Sequence, residues 1–220
     1  MRFTKYTHAC ARIEAGGVTL AIDPGGFSEP EALRGAQAVL ITHEHFDHLD
    51  AEKLRAAATA EPDLLVWTNA AVAARLADVA ELNGRVRTVA HGDTFTVGPS
   101  AGGIDVHVYG EKHVVLHPDV DPPMNVGFHI GGVAFYPGDA YTVPDEPVHT
   151  LLTPTDAPWM RRADLVEYVR AVAPRAGVSM HDGLLNDIGL GLVDAQMKEF
   201  GEELSGDFRR LPPGESADLR

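Results

Sequence analysis

The sequence predicts an α/β (α+β) fold built from two β-rich halves flanked by helices. Three observations carry that expectation. Short runs rich in Val, Ile and Leu recur between glycine and proline turn signals. Apolar residues at helical spacing mark several longer segments. The order of these segments, strand-rich then helical and then the same again, describes two similar halves sharing one core, with helices covering the sheets from outside.

The first strands fall at 3–13 and 18–22, joined at Gly16-Gly17, where two glycines supply the positive φ angles of a tight turn. Asp23-Pro24-Gly25-Gly26 ends the second run, because proline lacks a ladder donor and glycine weakens a strand. Residues 38–42 read as a buried strand. Asp50 can cap an Ala-rich helix over about 51–60 and Asn69 another over about 70–80, with a strand at 64–67 between them. The middle third predicts strands at 86–89, 94–97, 104–109, 114–116, 126–130 and 133–136, the last two turning at Gly131-Gly132. In the last third, 151–152 and 177–180 read as strands. Leu165, Val169 and Val172 place an apolar stripe on one helix, and Val193, Met197, Phe200 and Leu204 place another, with Asp194, Glu199, Glu202 and Glu203 on its wet side. A proline-rich tail, Leu211-Pro-Pro-Gly-Glu, follows. With no low-complexity linker or short repeat, residues 1–220 are expected to form one domain.

Composition narrows the function. The 220 residues are 45% apolar, enough for a sizeable core, and 18 basic against 32 acidic side chains give a formal charge of −14. Nucleic acid and anionic membranes would be repelled, since basic residues occur in ones and twos, densest at Arg161-Arg162 and Arg209-Arg210. The single cysteine, Cys10, makes no internal disulfide and reads as a small buried hydrophobe on a strand. The N-terminus lacks the apolar core of a signal peptide and no window reaches 18 apolar residues, so a cytoplasmic protein acting on a small molecule is expected. Neither a membrane nor a nucleic-acid partner is expected, and the oligomeric state is unreadable because the apolar stripes serve core or interface equally. G-x-S-x-G, P-loop and G-x-G-x-x-G motifs are absent.

His43-Glu44-His45-Phe46-Asp47-His48 is the strongest chemical signal among the eleven histidines. It follows the buried strand at 38–42 and precedes a helix, so it lies on the loop at a strand's carboxyl end. Residues two apart in an extended segment project to one side, so His43 and His45 can reach one ion, while a turn at Phe46 lets Asp47 and His48 face a second. Imidazole and carboxylate donors together suit zinc, with iron or manganese as alternatives.

The motif resembles the signature of the metallo-β-lactamase superfamily of metal-dependent hydrolases. Further matches are Thr7-His8-Ala9, Asp23-Pro24, Gly110-Glu-Lys-His113, Asn125-Val-Gly-Phe128, Gly138-Asp139, Ala157-Pro158-Trp159 and Met180-His181-Asp182, so the likeness spans most of the chain. Together they look most like the branch containing ascorbate-phosphate lactonase. The resemblance implies a four-layer αββα sandwich with the site at one edge. It implies one ion on His43, His45 and His113, a second on Asp47, His48 and His181, and Asp139 bridging the two. Zinc is then the expected metal, in two copies. Asp47 and Asp139 become the expected catalytic carboxylates, Asp47 orienting the nucleophile or passing a proton to the leaving group. The implied reaction is hydrolysis of a small ester, lactone or phosphoester by a water whose pKa the ions lower to about 7. Iron-dependent redox chemistry on the same scaffold and a non-catalytic metal-binding protein are the rivals.

Single positions keep alternatives. His117 competes with His113, because residues 113 and 117 share a face of an unbroken strand. His107 falls on the polar face of its strand and reads as solvated, and His91, His129 and His149 read as structural. Asp23 either accepts a ring N–H from a ligand histidine, fixing its tautomer, or simply ends a strand, and His8 joins it in the outer shell. Tyr141 either hydrogen-bonds a developing oxyanion or packs structurally. Trp159 and the 119–124 loop either wall a substrate pocket or pack.

Overall fold

The computed structural model describes residues 1–220. In the first half β1 (Arg2–Lys5), β2 (Ala11–Ala15) and β3 (Val18–Ile22) pair antiparallel. The sheet continues in parallel through β4 (Ala38–Ile41), β5 (Leu65–Thr68) and β6 (Val86–Thr88), with α1 (Ala51–Ala60) and α2 (Ala70–Arg75) in the crossovers. In the second half β7 (Thr94–Val97), β8 (Ile104–Tyr109), β9 (Gly127–Ile130) and β10 (Ala134–Tyr136) pair antiparallel. The strands β11 (Thr150–Pro154), β12 (Ala176–Met180) and β13 (Asp207–Arg209) then run parallel, linked by α3 (Arg162–Val172) and α4 (Asp187–Leu204). Finally β14 (Ser216–Asp218) returns to lie beside β1. Each sheet has seven strands, ordered β14-β1-β2-β3-β4-β5-β6 and β13-β12-β11-β10-β9-β8-β7.

Strand alternation sorts the apolar side chains into three stacked cores. On β4, Leu40 joins Phe3, Ile22, Phe128 and Leu152 between the sheets, whereas Val39 and Ile41 meet Leu54 of α1 and Val72 of α2. On β11, Leu152 faces inward while Leu151 packs on Leu165 and Val169 of α3 and Met197 of α4. The result is the α-β-β-α layering and α/β class expected from the sequence. Asp50 and Asn69 cap α1 and α2 as expected, Asp50 accepting from the amides of Glu52 and Lys53 and Asn69 from those of Ala71 and Val72. Because β3, β4 and β5 run parallel at their junctions, and so do β10, β11 and β12, the loops leaving their carboxyl ends gather at one end of the sandwich.

Four expectations are corrected. The run at 3–13 is two strands, because the chain reverses over 6–10, with His8 at φ +66° and the Tyr6 amide donating to the Cys10 carbonyl at 2.9 Å. Cys10 is therefore buried at the end of that turn, not on a strand. Residues 114–116 are a loop: the amides of His113 and Val114 donate to the carbonyls of Pro123 and Asp139, leaving Val115 and Leu116 exposed. The helix after Asn69 stops at Arg75, and a short 3-10 turn at Ala80–Leu82 takes up the rest. Conversely β13 and β14, three residues each, escape sequence reading because edge strands this short carry almost no alternation.

Candidate metal centre

The motif leaves β4 at Thr42 and turns back at His45, whose carbonyl accepts from the His48 amide at 3.0 Å. Thr42 and Asp23 form its base. The Asp23 carboxylate, fully buried, accepts from the Thr42 amide (2.8 Å), the Thr42 hydroxyl (2.7 Å) and His48 Nδ1 (2.7 Å). Since the Thr42 hydroxyl gives its proton to Asp23, its oxygen accepts from His43 Nδ1 at 2.9 Å. Gly25 lies against the Asp47–His48 peptide so closely that a Cβ there would overlap the Asp47 carbonyl.

The remaining residues arrive from the second half. His113 is set by the loop bonds just described, and its Nδ1 donates to the Val114 carbonyl at 2.6 Å. Asp139 follows β10 through Gly138 at φ +64°, its amide donating to Asn125 Oδ1 while Asn125 Nδ2 donates to the Pro137 carbonyl. Trp159 Nε1 donates to Asp139 Oδ2 at 3.1 Å. His181 follows β12 at φ +60°, its amide bonded to the His8 carbonyl and its Nδ1 donating to the Asp156 carbonyl at 2.6 Å.

In His43, His48, His113 and His181 alike, an oxygen acceptor therefore holds the proton on Nδ1 and leaves the Nε2 lone pair facing the centre. There the donors crowd. His43 Nε2 and His45 Nδ1 are 3.0 Å apart, and Asp139 Oδ2 lies 3.3 Å from His113 Nε2 and 3.9 Å from His43 Nε2. On the other side Asp139 Oδ1 is 3.4 Å from His48 Nε2, and Asp47 Oδ2 is 3.3 Å from His181 Nε2 and 3.9 Å from His48 Nε2. The Nε2 atoms of His48, His113 and His181 and Asp139 Oδ1 are buried without any hydrogen-bond partner. Buried polar atoms crowded in this way are costly unless a cation joins them, or protons stand in its place. Donors 2.0–2.1 Å from a tetrahedral zinc stand about 3.3 Å apart, which these spacings fit.

Electrostatics follow from this crowding. Burial and His48 push the His43 imidazole well below its ordinary value, and burial and His113 lower His45. Burial works against charge on His48 and His181, yet Asp139 outweighs it, holding His48 well above its ordinary value and pushing His181 up to about 9. Burial likewise acts to raise the Asp139 and Asp47 carboxyls, but the neighbouring histidines win and hold both well below the carboxylate range. Protons on His48 and His181 thus occupy the role that cations would take.

His8 has a different part. The Gly183 amide donates to His8 Nδ1 at 3.2 Å, which fixes the ring proton on Nε2, and Nε2 donates to Asp47 Oδ2 at 3.0 Å. A ring protonated at Nε2 steadies Asp47 and offers no lone pair to an ion. The adjacent Asp182 pairs with Lys5 of β1 at 2.5 Å, both fully or almost fully buried, and accepts from Ser179.

All seven residues expected around the ions are brought together, as are His8, Asp23 and Trp159 behind them. Tyr141 packs on Trp159 and Tyr168, with its hydroxyl buried and unpartnered rather than bonded to any donor of the centre. His117 is exposed and bonds the Asp119 amide, away from the cluster. His107, read as solvated, is half-buried and bonded to Glu146, which also binds the Tyr109 hydroxyl. The supporting parts of Thr42, Asn125 and Gly25 were missed. Asn125 stands within a matched segment that carried no role, and the only signal at Thr42 and Gly25 is adjacency to the motif and to Asp23-Pro24. Lys5 gives no signal at all.

The chain is similar to several known proteins. The profile of the β-lactamase superfamily domain matches residues 2–181. Protein Rv0786c of Mycobacterium tuberculosis is 32% identical over 96% of this chain and 97% of its own length. A UPF0173 metal-dependent hydrolase of Aeropyrum pernix is 27% identical over 99% and 97%. Among solved structures, the metallo hydrolase Igni18 of Ignicoccus hospitalis superposes with a TM-score of 0.68 at 18% identity, covering 98% of this chain and 97% of that one. CmlA, a diiron β-hydroxylase of Streptomyces venezuelae, has the same TM-score at 15% identity, covering 99% of this chain and 54% of that one.

Proposed function

The chain belongs to the β-lactamase superfamily, and from that premise we propose that it is a metal-dependent hydrolase with a two-ion centre, acting on a small ester, lactone or phosphoester. The observation that carries this reading is the convergence of buried donor atoms with no partner at His48, His113, His181 and Asp139. His43, His45 and His113 would hold one ion, Asp47, His48 and His181 the other, and Asp139 would serve both. When bound, such ions polarise a carbonyl or phosphoryl oxygen and bring the pKa of a water to about 7. Zinc suits the donors best, with manganese or iron as alternatives.

The chain's own contribution is orientation and proton transfer. Asp139, steadied by Asn125 and Trp159, supplies the negative charge that offsets the repulsion between two cations. Asp47 is the more accessible carboxylate, its side chain 15% exposed against 4% for Asp139. His8 and His181 engage its Oδ2, which steadies the carboxylate to orient the attacking water or pass a proton to the leaving-group oxygen. The charge of −14 favours small substrates over polyphosphates. No helix is long and apolar enough to cross a membrane. A cytoplasmic location, and one hydrolase domain over 1–220, belong to the same reading.

Elemental analysis of the purified protein with a panel of lactones, esters and phosphoesters tests it. His43→Ala and Asp139→Ala should each lose metal and turnover while keeping the far-UV circular dichroism spectrum. Folded variants that keep two metals and full activity would overturn the proposal. Stoichiometric iron with oxygen consumption would instead support the redox rival, which the likeness to the diiron hydroxylase motivates.

A further inference from the structure

The segment between β11 and α3 supplies none of the proposed ligands, yet it touches a ligand on each side of the centre and the carboxylate between them. Its start is pinned to the end of β12, where the Thr155 amide donates to the Met180 carbonyl at 3.0 Å. One residue on, the Asp156 carbonyl accepts from His181 Nδ1 at 2.6 Å. A turn closed by the Met160 amide on the Ala157 carbonyl, at 3.0 Å, then carries Trp159 to the cluster. The indole stands edge-on to His113, with ring centroids 5.6 Å apart at 76°, and its Nε1 donates to Asp139 Oδ2 at 3.1 Å. Tyr141 also packs edge-on against the indole, 5.5 Å away at 74°, and is itself backed by Tyr168.

Asp139 depends on that contact. Asn125 fixes its backbone, but the torsion that turns a carboxylate plane is broad and has little preference of its own. Oδ1 faces His48 Nε2 at 3.4 Å, and Oδ2 faces the Nε2 atoms of His113 and His181 at 3.3 and 3.4 Å. All three histidines belong to the proposed ligand set, so none of them remains a hydrogen-bond donor to Asp139 in the loaded centre. The Trp159 N–H is the one hydrogen bond that reaches either oxygen from outside that set. By holding Oδ2 it decides which oxygen faces which side.

We propose that Trp159 is a positioning residue that keeps Asp139 shared between the two ions. This rests on the two-ion reading above. Without the indole N–H the carboxylate turns so that both oxygens serve one ion, and the other ion loses its shared donor. The two affinities then move apart, one kept or tightened and the other reduced. Loss of packing alone has a different signature, because a loosened cluster weakens both together.

Trp159→Phe, at a half-buried position, deletes the N–H and keeps a ring against His113 and Tyr141, whereas Trp159→Ala deletes both. Zinc is titrated into each metal-free protein in competition with a chelator, which yields the two dissociation constants without turnover, and far-UV circular dichroism checks the fold. Wild type should bind two ions. In Trp159→Phe the tighter constant should stay within about threefold of wild type or improve, while the weaker one rises about 10- to 100-fold. In Trp159→Ala both should rise. Constants unchanged in Trp159→Phe, or both raised by the same factor, overturn the inference. A wild type that takes up one zinc ion or none overturns the two-ion reading and this inference with it, whereas two ions in wild type with unchanged constants in Trp159→Phe remove only the role of Trp159. If no ester, lactone or phosphoester is turned over while the constants still split, the hydrolase reading fails and the role of Trp159 stands.

Discussion

Replacing Asp182 by alanine removes the one acceptor available to the Lys5 ammonium. The pair spans 177 positions of sequence, joins β1 to the loop carrying His181, and is buried, with side-chain exposures of 1% and 5%. An exposed pair would be worth at most about 1 kcal/mol, whereas removing one partner of a buried pair costs about 3–5 kcal/mol because the other charge is left without compensation. At about 2–4 °C per kcal/mol for a chain of this length, the melting midpoint should fall by roughly 6–20 °C. The sign with pH is fixed as well. Burial, the largest influence, already holds Lys5 below its ordinary value, and Asp182 works in the opposite direction. Without Asp182 the folded-state value drops further. Between that value and about 10.4 the unfolded chain binds more protons than the folded one, so the variant's stability rises with pH and its deficit shrinks in alkali. Urea unfolding at pH 7 and pH 9.5, at one fixed free zinc concentration, measures both effects. Lys5→Met combined with Asp182→Ala should recover most of the loss, since no charge then remains buried. A deficit below about 1 kcal/mol at pH 7, or a double variant as unstable as the single one, would refute the reasoning.

Three further outcomes are expected. Gly25→Ala drives a methyl into the Asp47 carbonyl, and chelator competition should show zinc affinity reduced at least tenfold while the fold, read by circular dichroism, persists. His8→Ala frees Asp47 and should weaken the second zinc about 10- to 100-fold, whereas His8→Asn, which tolerates φ +66° and keeps an N–H donor, should lose less; equal losses would contradict the positioning role. His181 is pushed up to about 9 in the metal-free chain, so at neutral pH it carries a proton that zinc must displace. Affinity should therefore weaken on acidification, with proton release visible in calorimetry across buffers of different ionisation enthalpy; affinity constant from pH 6 to 8 would contradict this.

Much of the centre was legible because its chemistry is local. His43, His45, Asp47 and His48 lie within six positions after a buried strand, and the strand's alternation and the turn at Phe46 decide which way each points. The helix caps at Asp50 and Asn69, the two amphipathic helices and the α/β layering were legible for the same reason, since capping and periodicity act between near neighbours. Where the reading failed, the deciding contact was distant. Residues 114–116 have strand composition, but bonds to Pro123 and Asp139 hold them as a loop, and the same bonds bring His113 rather than His117 to the cluster. Lys5 looks like any strand lysine until β12 delivers Asp182 beside it.

The sequence by itself determined which donor atoms exist and the period on which each element buries its apolar face. Only the tertiary structure decided which lone pairs face the centre, because each ring's tautomer is set by an acceptor such as Asp23, Val114 or Asp156. A proton's position on an imidazole depends on what lies within 3 Å of it, and for His48 and His181 chain folding alone brings that neighbour from 25 residues away.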